Sequence, residues 1–181
     1  AALDAGAEVI NDVAAGQEAP RIFDVAAERG AAIVLMHRLV PPGEDRYSTA
    51  YATAPKYGDV VEEVCSFLVE RVAAARARGV EKNKIILDPG FGFGKSVEQN
   101  LELLERINEV VRLGFPVLAG LSRKSFLAAI GHGDTPEKRS AGSVEVAVAA
   151  WDRGVSILRV HEPAAHRDGL LRSPVFPRLS T

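Results

Sequence analysis

The chain of 181 residues is 47% hydrophobic and 25% charged, the make-up of one globular domain with a sizeable core. Its formal charge is 22 − 24 = −2, so no basic excess points to nucleic acid and no polybasic patch to a membrane surface. Cys65 is the only cysteine, which excludes an internal disulfide and makes the cytoplasm the default compartment. The apolar runs Ala31 to Met36 and Val144 to Trp151 are too short or too interrupted to span a bilayer. Ala1-Ala2-Leu3-Asp4 carries neither a start methionine nor a basic leader, and a chain that opens in a helical pattern reads as a fragment.

In chain order, short apolar runs alternate with longer helical stretches. Residues 8–12 and 31–36 predict the first two strands, each closed by polar residues, as for strands buried on both faces. Residues 37–54, with adjacent prolines and Gly43, form a long loop after the second strand and a candidate lid. Residues 59–77 predict a helix with Val60, Val64, Phe67, Leu68 and Val72 on one stripe. After a third strand at 84–87 comes a glycine-rich turn, then a helix over 97–113 carrying Val97, Leu101, Leu104, Ile107 and Val111. Gly79 and Gly114 follow these two helices, where a left-handed cap is expected. A fourth strand covers 116–120. Thr135 before Pro136 predicts the N-cap of a helix reaching Trp151, and 156–160 is the fifth strand. Five strands each followed by a helix mean a parallel sheet with right-handed crossovers, doubly wound or (β/α)8. The whole chain, 1–181, reads as one partial domain, with the barrel over 1–170 and an irregular tail over 171–181.

Side chains at the C-terminal ends of parallel strands face one crevice. Here those ends read Asn11-Asp12, Met36-His37, Asp88, Ser122-Arg123-Lys124 and Arg159-Val160-His161. Any one polar strand end needs no more than contact with water, but five with this chemistry predict a shared site. The most specific segment is Asp88-Pro89-Gly90-Phe91-Gly92-Phe93-Gly94-Lys95. It is not a P-loop, because Pro89 stands where the first glycine should be. An acid at a strand end beside two phenylalanines on a permissive backbone suits a flat heterocycle, gripped bidentately at an amino-pyrimidinone edge and covered on its face. Two cations at a helix N-terminus oppose its dipole, so Arg123 and Lys124 hint at an anionic or carbonyl ligand. Lys124 could donate to a ring carbonyl or nitrogen, and Ser125 with free backbone amides could hold a carboxylate or phosphate. Alternation puts Arg159 and His161 on one face, two donors better suited to phosphate than to metal. His37 reads as a packed or hydrogen-bonded residue, and His132 and His166 as surface residues.

Ile10-Asn11-Asp12-Val13, Leu35-Met36-His37, the Asp88–Lys95 segment, Leu121-Ser122-Arg123-Lys124-Ser125 and Arg159-Val160-His161 together resemble dihydropteroate synthase, in order and spacing over residues 10–161. The resemblance implies an incomplete (β/α)8 TIM barrel in which the five strands are the fourth to the eighth. It implies a transferase of folate biosynthesis that condenses 6-hydroxymethyl-7,8-dihydropterin pyrophosphate with 4-aminobenzoate to 7,8-dihydropteroate and pyrophosphate. Asn11, Met36, Asp88, Phe93, Gly120 and Lys124 would bind the pterin, Phe93 and Ser125 the aminobenzoate, and Arg159 and His161 the pyrophosphate. Asp88, Lys124, Arg159 and His161 would be catalytic, and none of these residues a metal ligand. Magnesium is the implied cofactor, its protein ligand lying upstream of this chain. The two small molecules are the implied substrates, a homodimer the implied full-length state, and sulfonamides the implied competitors for the aminobenzoate pocket. The chain departs from the family pattern at Arg38-Leu39-Val40-Pro41-Pro42, in a longer loop before Pro55, and in lacking three strands with their loops. A related pterin-binding methyltransferase domain is the alternative, disfavoured by the Ser122–Ser125 and Arg159–His161 segments, since methyl transfer releases no pyrophosphate. The third reading is a non-catalytic fragment, since an open barrel piece exposes strand edges and associates.

Overall fold

A computed structural model describes residues 1–41 and 43–174. The strands are β1 (Val9–Asp12), β2 (Ala32–Met36), β3 (Ile85–Asp88), β4 (Leu118–Ala119) and β5 (Ile157–Leu158). The helices are α1 (Arg21–Arg29), α2 (Val60–Ala77), α3 (Val97–Glu105), α4 (Ile107–Val111), α5 (Phe126–Ala129), α6 (Ser140–Asp152) and α7 (Pro163–Leu170). All strand pairings are parallel. Ile10 lies beside Ile33, Leu35 beside Leu87, and Leu118 beside Ile157. A Leu87–Val117 bridge links β3 to β4, so the strands follow one another in chain order with β1 and β5 at the edges. Parallel neighbours of this kind require the helical crossovers that the sequence supplies.

Position in the sheet explains which strands are wholly apolar. Ile33, Leu35, Met36, Ile85 and Leu87 are completely buried, whereas Val9 and Asn11 on β1 are exposed and both β5 residues are half-buried. Burial on both faces therefore holds for the central strands and fails at the edges. The fourth and fifth strands are shorter than the predicted five residues each. Beyond the two regular pairs, contact continues through Leu87 N to Pro116 O (2.9 Å) and Arg159 N to Ala119 O (3.1 Å).

The core lies between the sheet and its helices. Val60, Val61, Val64, Leu68 and Ala75 of α2 meet Ile33, Leu35, Ile85 and Leu87 there. Asp59 caps α2, its Oδ1 accepting from Val61 N (2.8 Å) and Glu62 N (2.9 Å). Gly79 and Gly114 take the left-handed conformation expected after a helix. The predicted helix over 97–113 is two helices, broken at Arg106, whose guanidinium gathers Asp59, Glu102 and Glu109. Its apolar period survives the break because Leu103, Ile107 and Val110 are all buried. Thr135 does not cap α6. Pro136 precedes a 3-10 turn, Glu137–Arg139, and the α-helix begins only at Ser140. His166 is buried rather than at the surface, its Nδ1 bonded to Glu162 O at 2.8 Å, and His132 is half-buried near Glu145 (3.6 Å). Of the predicted tail, residues 171–174 turn away from α7, and 175–181 lie outside the described residues. Among the described residues no helix is long and apolar enough to cross a membrane.

The glycine-rich turn after β3 ends in a capping box. Ser96 Oγ accepts from Gln99 N (3.3 Å), and Gln99 Oε1 accepts from Ser96 N (2.8 Å). Ser96→Ala should remove one arm of the box and cost about 1 kcal/mol, read as a lower urea midpoint with an unchanged slope.

Candidate functional site

A cavity of ≈ 980 Å³ opens beside the ends of β4 and β5, lined by Asp45, Tyr47, Phe93, Lys124, Ser125 and His161, with neighbours from the same loops. Four of the predicted site residues therefore share it: Phe93, Lys124, Ser125 and His161. Asp88 is not among its lining residues and is 1% exposed. Asp88 Oδ1 accepts from Gly90 N at 2.8 Å, and Oδ2 lies 3.0 Å from the guanidinium of Arg159. That ion pair lacks hydrogen-bond alignment, so Oδ2 is a buried acceptor without a hydrogen bond. Burial pushes the Asp88 carboxyl up, and Arg159, the Gly90 amide and Lys124 pull it back. Arg159 also donates to Asn11 Oδ1 at 3.3 Å, which brings Asn11, Asp88 and Arg159 together across the sheet.

The turn from Asp88 to Lys95 starts from this carboxylate. A Cβ on Gly90, whose φ is +71°, would meet His37 O at 1.8 Å, so only glycine lets the chain pass there. Gly92 has the same role against Lys124, where a Cβ would lie 2.9 Å from Lys124 Cδ. Lys124 Nζ consequently sits 4.1 Å from the centre of the Phe93 ring, a cation–π contact at the cavity wall. Burial pulls the Lys124 ammonium below the ordinary lysine range, and Asp88 opposes that shift.

Lys124 is aimed by its predecessor. Arg123 has φ +61°, unusual for a residue with a side chain. Its peptide is clamped from the α6 end, with Arg123 N donating to Ser143 Oγ (2.9 Å) and Arg139 donating to Arg123 O (3.2 Å). Ser125 lies at the cavity, where its Oγ accepts from Ser48 N at 3.1 Å. His161 Nδ1 contacts Ser122 Oγ at 3.0 Å.

The other predicted site residues, Asn11, Met36, Asp88, Gly120 and Arg159, are not among those lining the cavity. Met36 is fully buried, 3.5 Å beneath the Cβ that Gly90 lacks. Gly120 provides room rather than contact, since a Cβ there would meet the Arg159 guanidinium at 2.6 Å. Arg159 and His161 share no partner, Arg159 being drawn to Asp88 and Asn11 and His161 to Ser122. Asp12 is turned to its own loop, accepting from Ala14 N (3.0 Å) and Gly16 N (2.6 Å).

Three residues at the site escaped the sequence reading. Asp45, in the loop after β2, accepts from Gly94 N at 2.9 Å. Asn100 accepts from Gly92 N (2.7 Å) and donates to Ser48 Oγ (3.0 Å). Its signal is an amide three residues after Val97, in line with an apolar stripe. Lys95, considered only to reject a P-loop, is fully buried beside His37, and their nitrogens lie 3.0 Å apart. His37 is packed, as expected, edge-on to Phe67 at 5.0 Å.

The sequence matches the pterin-binding enzyme family over residues 1–161. It is 43% identical over 169 residues to a dihydropteroate synthase of Streptococcus pyogenes, covering 93% of this chain and 59% of that protein. The chain thus spans about three-fifths of the length of the curated relatives it matches. Among solved structures it resembles dihydropteroate synthase of Xanthomonas albilineans with 4-aminobenzoic acid, at 45% identity and a TM-score of 0.83, covering 94% of this chain and 57% of that one. The same enzyme in complex with 7,8-dihydropteroate aligns at 43% identity and 0.83, covering 94% and 59%.

The Asp88–Arg159 pair has a pH signature. A carboxyl whose folded pKa lies above its unfolded value favours folding at low pH, and that contribution is lost as pH rises toward the folded value. Arg159→Ala removes a group that pulls Asp88 down, so the loss deepens. The variant should be less stable than wild type by on the order of 1 kcal/mol at neutral pH, discounted because Arg159 is part-exposed. The deficit should close near pH 4, as urea titrations at the two pH values would show.

Proposed function

The chain belongs to the pterin-binding enzyme family, and from that premise we propose that it forms the ring-holding part of a dihydropteroate synthase. The reaction joins 6-hydroxymethyl-7,8-dihydropterin pyrophosphate to 4-aminobenzoate, giving 7,8-dihydropteroate and pyrophosphate. The observation that carries this reading is Asp88, a buried carboxylate whose Oδ2 has an ion pair with Arg159 but no hydrogen bond, under the charge of Lys124, whose ammonium in turn covers the Phe93 ring. The parallel strand arc fits an incomplete (β/α)8 barrel with β1 to β5 as its fourth to eighth strands.

In this reading Asp88 accepts from the amino-pyrimidinone edge of the pterin, and Lys124 donates to a carbonyl or nitrogen on the other edge. Phe93 covers the ring, and Asn11 reaches it from β1. The carbon–oxygen bond to pyrophosphate breaks as the carbon–nitrogen bond to the amine forms, and the amine gives its proton to solvent. Positive charge developing on the pterin methylene is favoured by the negative charge of Asp88 at the far edge. Arg159 and His161 receive the departing pyrophosphate, while Ser125 stands where the aminobenzoate carboxylate would reach. Among the described residues no group of three His, Cys, Asp or Glu could hold a metal ion. No step is assigned to magnesium.

Pyrophosphate release dependent on aminobenzoate, measured with the whole protein, tests the reading, and its absence beside methyl transfer from a methylated pterin would favour the methyltransferase alternative. Asp88→Asn should weaken pterin binding on the order of 10- to 100-fold, because the pair loses its charge. Calorimetric titration with a pterin checks it, and unchanged affinity would remove Asp88 from the site.

A further inference from the structure

Lys95 has no exposed surface. Its ammonium has three donors, and three acceptors meet it: Gly90 O at 3.0 Å, Phe93 O at 3.1 Å and His37 Nδ1 at 3.0 Å. The glycine amides of the same turn point elsewhere, while Phe93 N donates back to Gly90 O at 3.1 Å. Gly90 N donates to Asp88, Gly92 N to Asn100 and Gly94 N to Asp45. The turn is thus wound around a cation, with the Gly90 and Phe93 carbonyls inward, the glycine amides outward, and the Phe93 ring carried on its outer side against Lys124. Removing the ammonium would leave the Phe93 carbonyl without this donor and Gly90 O with only the Phe93 amide (3.1 Å), on the segment that holds that ring.

We propose that Lys95 is a positioning residue for the pterin wall, fixing the Gly90–Gly94 turn, and that His37 lets it lose its proton without unwinding that turn. The inference deepens the pterin reading and rests on it.

The proton balance follows from the contacts. In the charged state Nζ donates to both carbonyls and to Nδ1, and the imidazole carries its proton on Nε2. In the uncharged state one proton passes from Nζ to Nδ1 while Nε2 releases its own to solvent. Nζ then donates to the two carbonyls and accepts from Nδ1–H, so each contact survives. The imidazole remains neutral throughout, in keeping with burial and the nearby ammonium, which pull His37 down to about 2. The charged groups facing Lys95 are Asp88 from β3 and Asp45 from the loop after β2, which hold its proton, and Lys124, which repels it. Burial outweighs them and pulls the ammonium down to about 7.

The test uses the full chain, labelled with 15N, with the Lys95 side chain and the turn amides followed by NMR on either side of neutrality. Lys95 and the Gly92 and Phe93 amides should titrate together near neutral pH, with the turn amides protected from exchange in both states. In Lys95→Met the titration should vanish, the turn amides should exchange about tenfold faster or more, and affinity for pterin itself should fall about tenfold. In His37→Phe protection should be lost only on the alkaline side, a split that general destabilisation does not produce. Turn amides that ignore pH in the wild type overturn the proposal, as does a Lys95→Met chain with wild-type exchange and pterin affinity. Should Lys95→Met fail to fold, the wild-type and His37→Phe titrations still decide. A wild-type chain that binds no pterin counts against the pterin reading, and the exchange data decide the role of Lys95 regardless.

Discussion

A carboxylate taken out of water persists only where other charges and N–H groups replace its hydration. Asp88 meets that condition in the middle of the sheet, at the end of β3, between β2 and β4. Its two oxygens are engaged in different directions. Oδ1 holds the Gly90 amide and so starts the turn, while Oδ2 draws Arg159 from the end of β5 across the bare backbone of Gly120. The same guanidinium reaches Asn11 on β1. One buried acid thereby ties together groups from both edges and the centre of the sheet, and the geometry of the turn beside the cavity follows from its demand for partners.

The surrounding charges are unevenly matched. Lys95, Lys124 and Arg159 face Asp45 and Asp88, and burial lowers the proton affinity of both lysines against the pull of the two acids. Cations held in this way are poorly satisfied by the protein alone. In the proposed reaction the two groups best placed to relieve them are an electron-rich ring edge at Lys124 and a departing anion near Arg159 and His161. The surplus that costs the resting site favours the state in which pyrophosphate is leaving. Lys95 stands apart from this exchange, because its three donors are already filled by two carbonyls of the turn it supports and by His37.

Much of this was legible in the sequence because parallel strands impose a simple rule. An apolar run flanked by helical patterns is a central strand, and the polar residue that ends it faces the crevice. Lys124, Ser125 and His161 were read from the ends of strands or the helices after them, and they line the cavity. Asp88, Met36 and Gly120 were read from strand ends as well but lie beneath the turn and the Arg159 guanidinium, which packing and not residue type decides. The pairing of Arg159 with Asp88 was hidden for a related reason. Alternation puts Arg159 and His161 on one face but says nothing of a long side chain crossing a neighbouring strand. Asn100 and Lys95 were hidden because their partners are backbone atoms of the turn, which leave no mark in residue type. The break at Arg106 and the late start of α6 come from local turns that leave the apolar period intact.

The loop after β2 also grips the turn. Tyr57 donates to Gly94 O at 2.9 Å, Asp45 accepts from Gly94 N at 2.9 Å, and Ser48 N donates to Ser125 Oγ. At Gly94 the missing Cβ leaves the space that Leu39 Cβ fills, 2.5 Å from where it would stand. Arg38 pairs with Glu18 and so fastens the base of the loop to the one after β1. Most of these contacts end on main-chain atoms or on a hydroxyl, and a main-chain acceptor can be reached from loops of different length and sequence. Docking by that route separates two requirements that a site otherwise couples. The turn around Lys95 keeps its shape, while the outer wall, with exposed Tyr47 and Arg46 beside the cavity, is free to diverge. What enters from the loop side should therefore depend on this outer wall, separately from the proposed grip on the ring at Asp88.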